Sequence, residues 1–152
     1  TEIDASKHDA LRDFFMDLPP DEPVAMFARF IHDLDVIHRA ASAAGRTSVE
    51  LSGRRKELDE WQRAGAQPTI LAAQIQTGGL GVDMTRARYC GFFSLGFSLG
   101  DYEQALARTH RQGQTRNVTY VHFISKETVD RRVYGALDRK ERVVHAVLEG
   151  WK

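Results

Sequence analysis

The sequence predicts an α/β domain: a parallel sheet of about five strands flanked by helices. Three observations carry that expectation. Five short apolar runs recur along the 152 residues, each followed by a helical or connecting segment. Strands spaced in this way imply right-handed crossovers, and such crossovers build a parallel sheet with helices on both faces. The composition, 42% hydrophobic and 28% charged with only 4 Pro and 12 Gly, is that of one globular domain and excludes a disordered or fibrous chain. No internal repeat, heptad array or low-complexity tract interrupts the pattern.

The elements follow in order. Ala10, Leu11, Phe14 and Phe15 lie at helical spacing within Ala5 to Phe15, and Pro19-Pro20 closes that helix. Pro23 to Ala28 is an apolar run with the composition of a buried strand. Leu34, Ile37, His38 and Ala41 then form a helical stripe that ends at Gly45. Thr47 to Leu51 is the next strand, and a polar helix from Arg54 to Arg63 follows, with Trp61 expected to seat it on the sheet. Pro68 to Ala73 and Arg88 to Phe93 are the third and fourth strands, the latter carrying Cys90 as a buried structural thiol. Asp101 to Thr109 reads as helical. Val118 to Ile124 is the clearest strand, rich in β-branched and aromatic residues. Val129, Val133, Leu137, Val144 and Leu148 are spaced to share one face of a final helix.

Charge is uneven along the chain although the total is zero. Residues 1–35 hold nine acidic and three basic side chains, whereas residues 36–152 hold eighteen basic and twelve acidic. A mildly basic remainder is compatible with phosphate contacts from one face. A lone Cys90 excludes an internal disulfide and a cysteine-rich zinc site, and His32, His38, His110 and His122 lack ligand-like spacing, so no metal site is expected. Nothing approaches an 18-residue apolar run, and TEIDASKHDALRD lacks the order of a secretory signal. The expected location is cytoplasmic, on the nucleoid if the source is bacterial, with no membrane partner.

Open parallel sheets bind ligands at the carboxyl ends of their strands, so the glycines of Thr77-Gly78-Gly79-Leu80-Gly81-Val82-Asp83, after the third strand, are the first candidates. A GGxG loop has few side chains and can approach a backbone or a phosphate closely. The GxxxxGK[ST] order of a P-loop occurs nowhere in the chain, and no dinucleotide fingerprint is present. After the fourth strand, Gln104, Arg108 and Arg111 stand at i, i+4 and i+7, which puts all three on one helical face. Two guanidiniums one turn apart make a clamp for an anion, because each offers fixed donors and neither loses its charge.

The run TGGLGVDMTRARYCGFFSLGFSLGDYEQALARTHRQGQ, from Thr77 to Gln114, resembles motifs V and VI of the Swi/Snf-type ATPases, helicase-like double-stranded DNA translocases of superfamily two. Their usual form is AGGLGLNLTAAD, a strand, then DPxWNPxxxxQAxDRxHRxGQ. PVAMFARF at 23–30 is similar to the motif IV strand. VELSGRRKELDEW at 49–61 resembles xxLDGxTxxxxR, and VTYVHFISKETVDRRVYGAL at 118–137 resembles the stretch ending in a TxEExI helix.

The resemblance implies the second of two RecA-like lobes at residues 23–150, after an N-terminal helical extension at 1–22. ATP with Mg2+ would sit between the lobes. An N-terminal RecA-like ATPase lobe, expected in the same polypeptide, would hold the Mg2+, and duplex DNA would be the other partner. By the same likeness Arg108 and Arg111 are the motif VI arginines, Arg111 being the finger. Gln104, Gly79, Gly81 and Asp83 fall on nucleotide-contacting positions. Thr77, Arg86 and Arg88, with Arg54, Arg55 and Lys56, are the candidate DNA contacts.

Departures from the family pattern are specific. Asp83 stands for Asn, Thr77 for Ala, Phe97-Ser98-Leu99 for the WNP triplet, and Leu51-Ser52-Gly53-Arg54-Arg55 for LDGxT. Retained arginines favour a working motor lobe, expected to be inactive alone. The worn WNP and LDGxT patterns favour the alternative, a non-catalytic RecA-like module for protein interaction or DNA docking.

Overall fold

The computed structural model describes residues 2–63, 65, 67–74, 83–93, 108, 118–124 and 143–147. Its elements are α1 (Glu2–Asp17), β1 (Val24–Ala28), α2 (Ile31–Ala43), β2 (Ser48–Leu51), α3 (Leu58–Gln62), β3 (Ile70–Gln74), β4 (Tyr89–Phe92), β5 (Thr119–Ile124) and β6 (Val143–Val147). All strand pairs are parallel, in the order β2-β3-β1-β4-β5-β6. The five expected strands are present within a residue or two of their expected bounds, and β6 joins them at the edge beyond β5. Every residue of β1 is buried, as a central strand covered on both faces requires.

Alternation along the strands builds two cores. Val24, Met26 and Ala28 of β1 face Leu11 and Phe15 of α1 and Leu34, Ile37 and Ala41 of α2, together with Ile70, Ala72, Val121 and Phe123. Ala25 and Phe27 face the other way, onto Trp61 of α3 and onto Met84, Leu71, Cys90 and Tyr120. Burying one such Leu or Phe side chain contributes roughly 1.5–3 kcal/mol. Helix α1 belongs to the first core, since Leu11 and Phe15 are buried there and Phe14 meets the rings of Tyr89 and Phe123 edge-on. Helix α2 stops where Gly45 takes φ 73°: Arg46 N donates to Ala41 O at 2.8 Å and Gly45 N to Ser42 O at 3.0 Å, a Schellman-type close that only glycine adopts cheaply.

Two expectations are corrected. Val144, expected on the last helical stripe, lies in β6, where Tyr120 pairs with Val143 and Ile124 with Val147. The run VVHAV is β-branched, and pairing along the open side of β5 outweighs its helical spacing. Val129, Val133, Leu137 and Leu148 lie outside the described residues. The polar helix begins at Leu58 rather than Arg54, because residues 52–57 are folded as a turn. There Ser52 N donates to Arg55 O at 2.8 Å and Leu51 bridges Lys56 in antiparallel sense.

Cys90 is buried in β4, and Trp61 is buried with its Nε1 donating to Thr69 O at 3.0 Å. Among the described residues no helix is long and apolar enough to cross a membrane.

Candidate functional site

Register determines which loops meet. Ala28, the last residue of β1, is opposite Gln74, the last of β3, and Phe27 is opposite Phe92, the last of β4. The segments that follow β3 and β4 therefore leave the same edge of the sheet, from the two strands hydrogen-bonded to β1. The first of these segments carries the glycine loop and the second carries the arginine row. Since β1 is followed in sequence by a strand on one side of it and β3 by a strand on the other, this is a topological switch point, where open α/β sheets receive ligands. Thr77, Gly79, Gly81, Gln104 and Arg111 lie outside the described residues.

Arg108 and Asp83 are brought close together. Arg108 is helical and buried at 5% exposure, and its carbonyl accepts a 2.9 Å hydrogen bond from Met84 N, so the backbone at Arg108 docks on the turn that ends the glycine loop. Burial lowers the pKa of the Arg108 guanidinium, which means the charge is held in a poorly solvated place. An anion brought close to such a group would offset that cost. Asp83 shapes its own turn. Its Oδ1 accepts from Thr85 N at 2.9 Å and from Thr85 Oγ1 at 2.6 Å, an Asx turn, while Gln62 Nε2 donates to Asp83 O at 2.8 Å.

Arg54, Arg55 and Lys56 share the carboxyl edge, in the turn after β2. That turn is organised by Glu50, a fully buried carboxylate on the α2 face of β2. Arg54 grips it with Nε to Oε2 at 2.8 Å and Nη2 to Oε1 at 2.9 Å, and reaches Asp35 of α2 with Nη2 at 2.6 Å. Ser52 Oγ and His38 Nε2 also donate to Glu50, the latter at 2.8 Å, and His38 Nδ1 shares a 2.6 Å hydrogen bond with Ser48.

Burial works to raise the pKa of Glu50, but hydrogen bonds from Arg54, Ser52 and His38 outweigh it and bring the value down to about 2. The same bonds to Glu50, and those to Asp35, raise that of Arg54. Arg55 pairs with Glu57 through Nη2 at 2.6 Å, and Lys56 Nζ donates to Ser52 O at 2.7 Å. Ser52, standing where the family pattern has Asp, accepts from the backbone N–H of Arg54 and of Arg55 at 3.2 Å each, so the turn is capped by its hydroxyl.

Arg86 and Arg88 lie at the opposite, amino edge. Arg86 stacks 5.4 Å from the centre of the Trp61 ring and its Nη1 donates to Trp61 O and to Pro68 O, the latter at 2.9 Å. Burial lowers its pKa. Arg88 sits 3.8 Å from Glu22, and its backbone N–H donates to Pro23 O ahead of β1. A polar cleft of about 510 Å³ opens here, lined by Glu22, Thr69, Arg86 and Arg88 among others, on the side away from the switch point.

Sequence reasoning missed Glu50, His38, Asp35 and Arg46. Glu50 had a visible signal: within Ser48-Val49-Glu50-Leu51 it is an acid whose strand neighbours are both apolar, four residues before Arg54. Arg46 had none. It is buried, with Nη1 donating to Phe15 O at 3.2 Å, Nη2 to Glu22 O, and Nε to Thr69 Oγ1 at 3.0 Å, joining α1, the β1 entry and β3.

Residues 6–113 match the helicase conserved C-terminal domain family, from α1 through the arginine row. The chain is 33% identical over 105 residues to a chromatin-remodeling ATPase INO80 of Lodderomyces elongisporus, covering 68% of this chain and 6% of that protein. It is 27% identical over 135 residues to the DNA repair protein RAD5 of Cryptococcus neoformans, covering 85% of this chain and 11% of that protein. The chain thus spans a small fraction of both relatives. The crystal structure of the C-terminal part of the Fun30 ATPase domain superposes with a TM-score of 0.70 at 26% identity, over 85% of this chain and 44% of that one. With the family match covering more than two thirds of the chain and the superposition on the Fun30 lobe beside it, the chain belongs to the helicase conserved C-terminal domain family, as a RecA-like C-terminal lobe of the Swi/Snf type.

Proposed function

We propose that this chain is the second motor lobe of a DNA-dependent ATPase and double-stranded DNA translocase. It would supply the glycine loop and the arginines Arg108 and Arg111 to an ATP site completed by an N-terminal RecA-like lobe. One observation supports this most: β3 and β4 flank β1 and release those two segments at one edge, beside Arg54, Arg55 and Lys56. ATP, when bound with Mg2+ on the other lobe, supplies the phosphoanhydride whose cleavage drives motion. On this chain Gln104, Gly79, Gly81 and Asp83 line the approach, and the two arginines meet charge on the γ-phosphoryl oxygens as the lobes close. Thr77 and the basic turn after β2 contact DNA phosphates, which carry no sequence information and suit a translocase. Arg86 has its guanidinium engaged by Trp61 and Pro68 and is left out of that contact set. Such a protein works where duplex DNA is held, the nucleoid in a bacterial cell.

In the two-lobe protein, Arg111→Ala should lower kcat by roughly 10³-fold or more by analogy with other arginine fingers, with a much smaller effect on ATP binding. Arg111→Lys should rescue little, because a point charge does not reproduce a two-pronged donor. Hydrolysis at close to the parent rate in Arg111→Ala would overturn the motor reading. A second reading, a docking module without catalysis, draws on the charge balance of the β2 turn, where Glu50, Asp35 and Glu57 match Arg54, Arg55 and Lys56. It requires that nucleotide turnover be indifferent to both arginines.

A further inference from the structure

We infer that Glu50 is a positioning residue that aims Arg54 at a backbone phosphate of duplex DNA, and that Asp35 holds the place on Arg54 that the phosphate takes. This rests on the DNA reading of the β2 turn given above.

The two carboxylates bind the same guanidinium in unequal ways. Glu50 is fully buried, takes both Nε and Nη2 of Arg54, and accepts further hydrogen bonds from Ser52 and His38. A carboxylate so enclosed has nowhere else to go, and it orients the guanidinium from its inner side. Asp35 is 48% exposed and accepts only from the outer proton of Nη2. An exposed single-point ion pair of that kind is weak and easily exchanged.

What remains of Arg54 points outward: among the described residues Nη1 has no hydrogen-bond partner, and the side chain is 37% exposed. Nη1 and the outer proton of Nη2 form the end-on fork that fits two oxygens of one phosphate. Lys56, anchored to Ser52 O through one proton, offers its remaining donors from the same turn. Gly53, just before Arg54, carries no side chain, and its N–H donates to Gln74 Oε1 at 3.3 Å, tying the turn to the end of β3. A phosphate entering here exchanges Asp35 for itself and leaves the Glu50 pair intact.

The test is a titration of a short fluorescent duplex of random sequence with the full chain and its variants, between roughly 50 and 200 mM salt, with thermal melts run alongside. Arg54→Ala should weaken binding by roughly tenfold and reduce the salt slope by about one. Asp35→Asn should tighten binding several-fold, and that gain should vanish in Asp35→Asn/Arg54→Ala. Glu50→Gln should weaken binding toward the Arg54→Ala level at temperatures where both are folded, and Glu50→Asp should recover part of it.

If Arg54→Ala leaves affinity and salt slope unchanged, the DNA reading of this turn fails. If Arg54→Ala weakens binding but Asp35→Asn has no effect, or tightens equally without Arg54, that reading stands and the exchange proposed here fails. A parallel titration with ATP and Mg2+ separates the two phosphate sources. Dependence of nucleotide affinity on residues 35 and 54 would assign the fork to the nucleotide and overturn the proposal.

Discussion

At the amino edge of the sheet, Arg46 and Arg86 direct their guanidinium groups to backbone carbonyls, the Thr69 hydroxyl and the Trp61 ring, whereas at the carboxyl edge Arg54 and Arg55 are held by side-chain carboxylates. The partners decide what each arginine can do. A carbonyl at the entry to a strand cannot move without unravelling the sheet, so an arginine bound to it is a fastening. A carboxylate such as Asp35, half-exposed on a helix, can turn away, so an arginine bound to it is available to an incoming anion. By motif alone, Arg86 and Arg88 fall with Arg54, Arg55 and Lys56 into one class of basic residue. The fold separates them by the full length of the strands.

Removing a fastening should give the largest effect. Arg46→Ala leaves Phe15 O, Glu22 O and Thr69 Oγ1 without their charged donor and releases α1 from β3. Charged hydrogen bonds contribute roughly 1.5–3 kcal/mol each, so a loss of about 3 kcal/mol or more is expected. For a chain of this size that lowers Tm on the order of 10 °C. A shift of a degree or two would mean that the carbonyls find water easily and that the amino edge is less rigid than described.

Glu50 tests the other edge through pH. Its folded pKa of about 2 lies below the ordinary value of 4.5, so its contribution to stability is fully present above pH 4.5 and is lost as pH falls from 4.5 through about 2. The stability advantage of the parent over Glu50→Gln should be at most about 3 kcal/mol near neutrality and should decay in that acid window, as read from urea midpoints across pH. An advantage that stays constant down to pH 2 would contradict the buried, charge-gripped carboxylate.

Smaller effects follow at the amino edge. Arg86→Ala loses the Trp61 stacking and the Pro68 hydrogen bond and should cost roughly 1–2 kcal/mol. Arg88→Ala, whose pair with Glu22 is long and half-exposed, should change stability by less than about 0.5 kcal/mol. A large destabilisation by Arg88→Ala would make the Glu22 pair a fastening as well.

Much of this was legible in the sequence. The five apolar runs became five strands because a parallel sheet buried on both faces demands nearly continuous apolar residues, as in VAMFA and ILAA. The glycine loop and the arginine row stand out in the sequence by their spacing alone, and of them only Asp83 and Arg108 fall among the described residues. Two things were not legible. The helical spacing of the last valines could not be told from a β-branched strand, since Val144 satisfies both, and only the open side of β5 decides between them. The network that Glu50 forms with His38 and, through Arg54, with Asp35 joins residues up to 19 positions apart, and no local pattern encodes which side of a strand faces which helix.

The division of labour between the two edges is tested most directly by a crossed pair of measurements on Arg54→Ala and Arg86→Ala. Each variant is melted, and each is titrated with duplex DNA while folded. Arg86→Ala should lower Tm by several degrees and leave DNA affinity and its salt slope unchanged, while Arg54→Ala should weaken DNA binding with a clearly lower salt slope. DNA binding weakened by Arg86→Ala as much as by Arg54→Ala, with Tm unmoved, would contradict the assignment of the carboxyl edge as the working one.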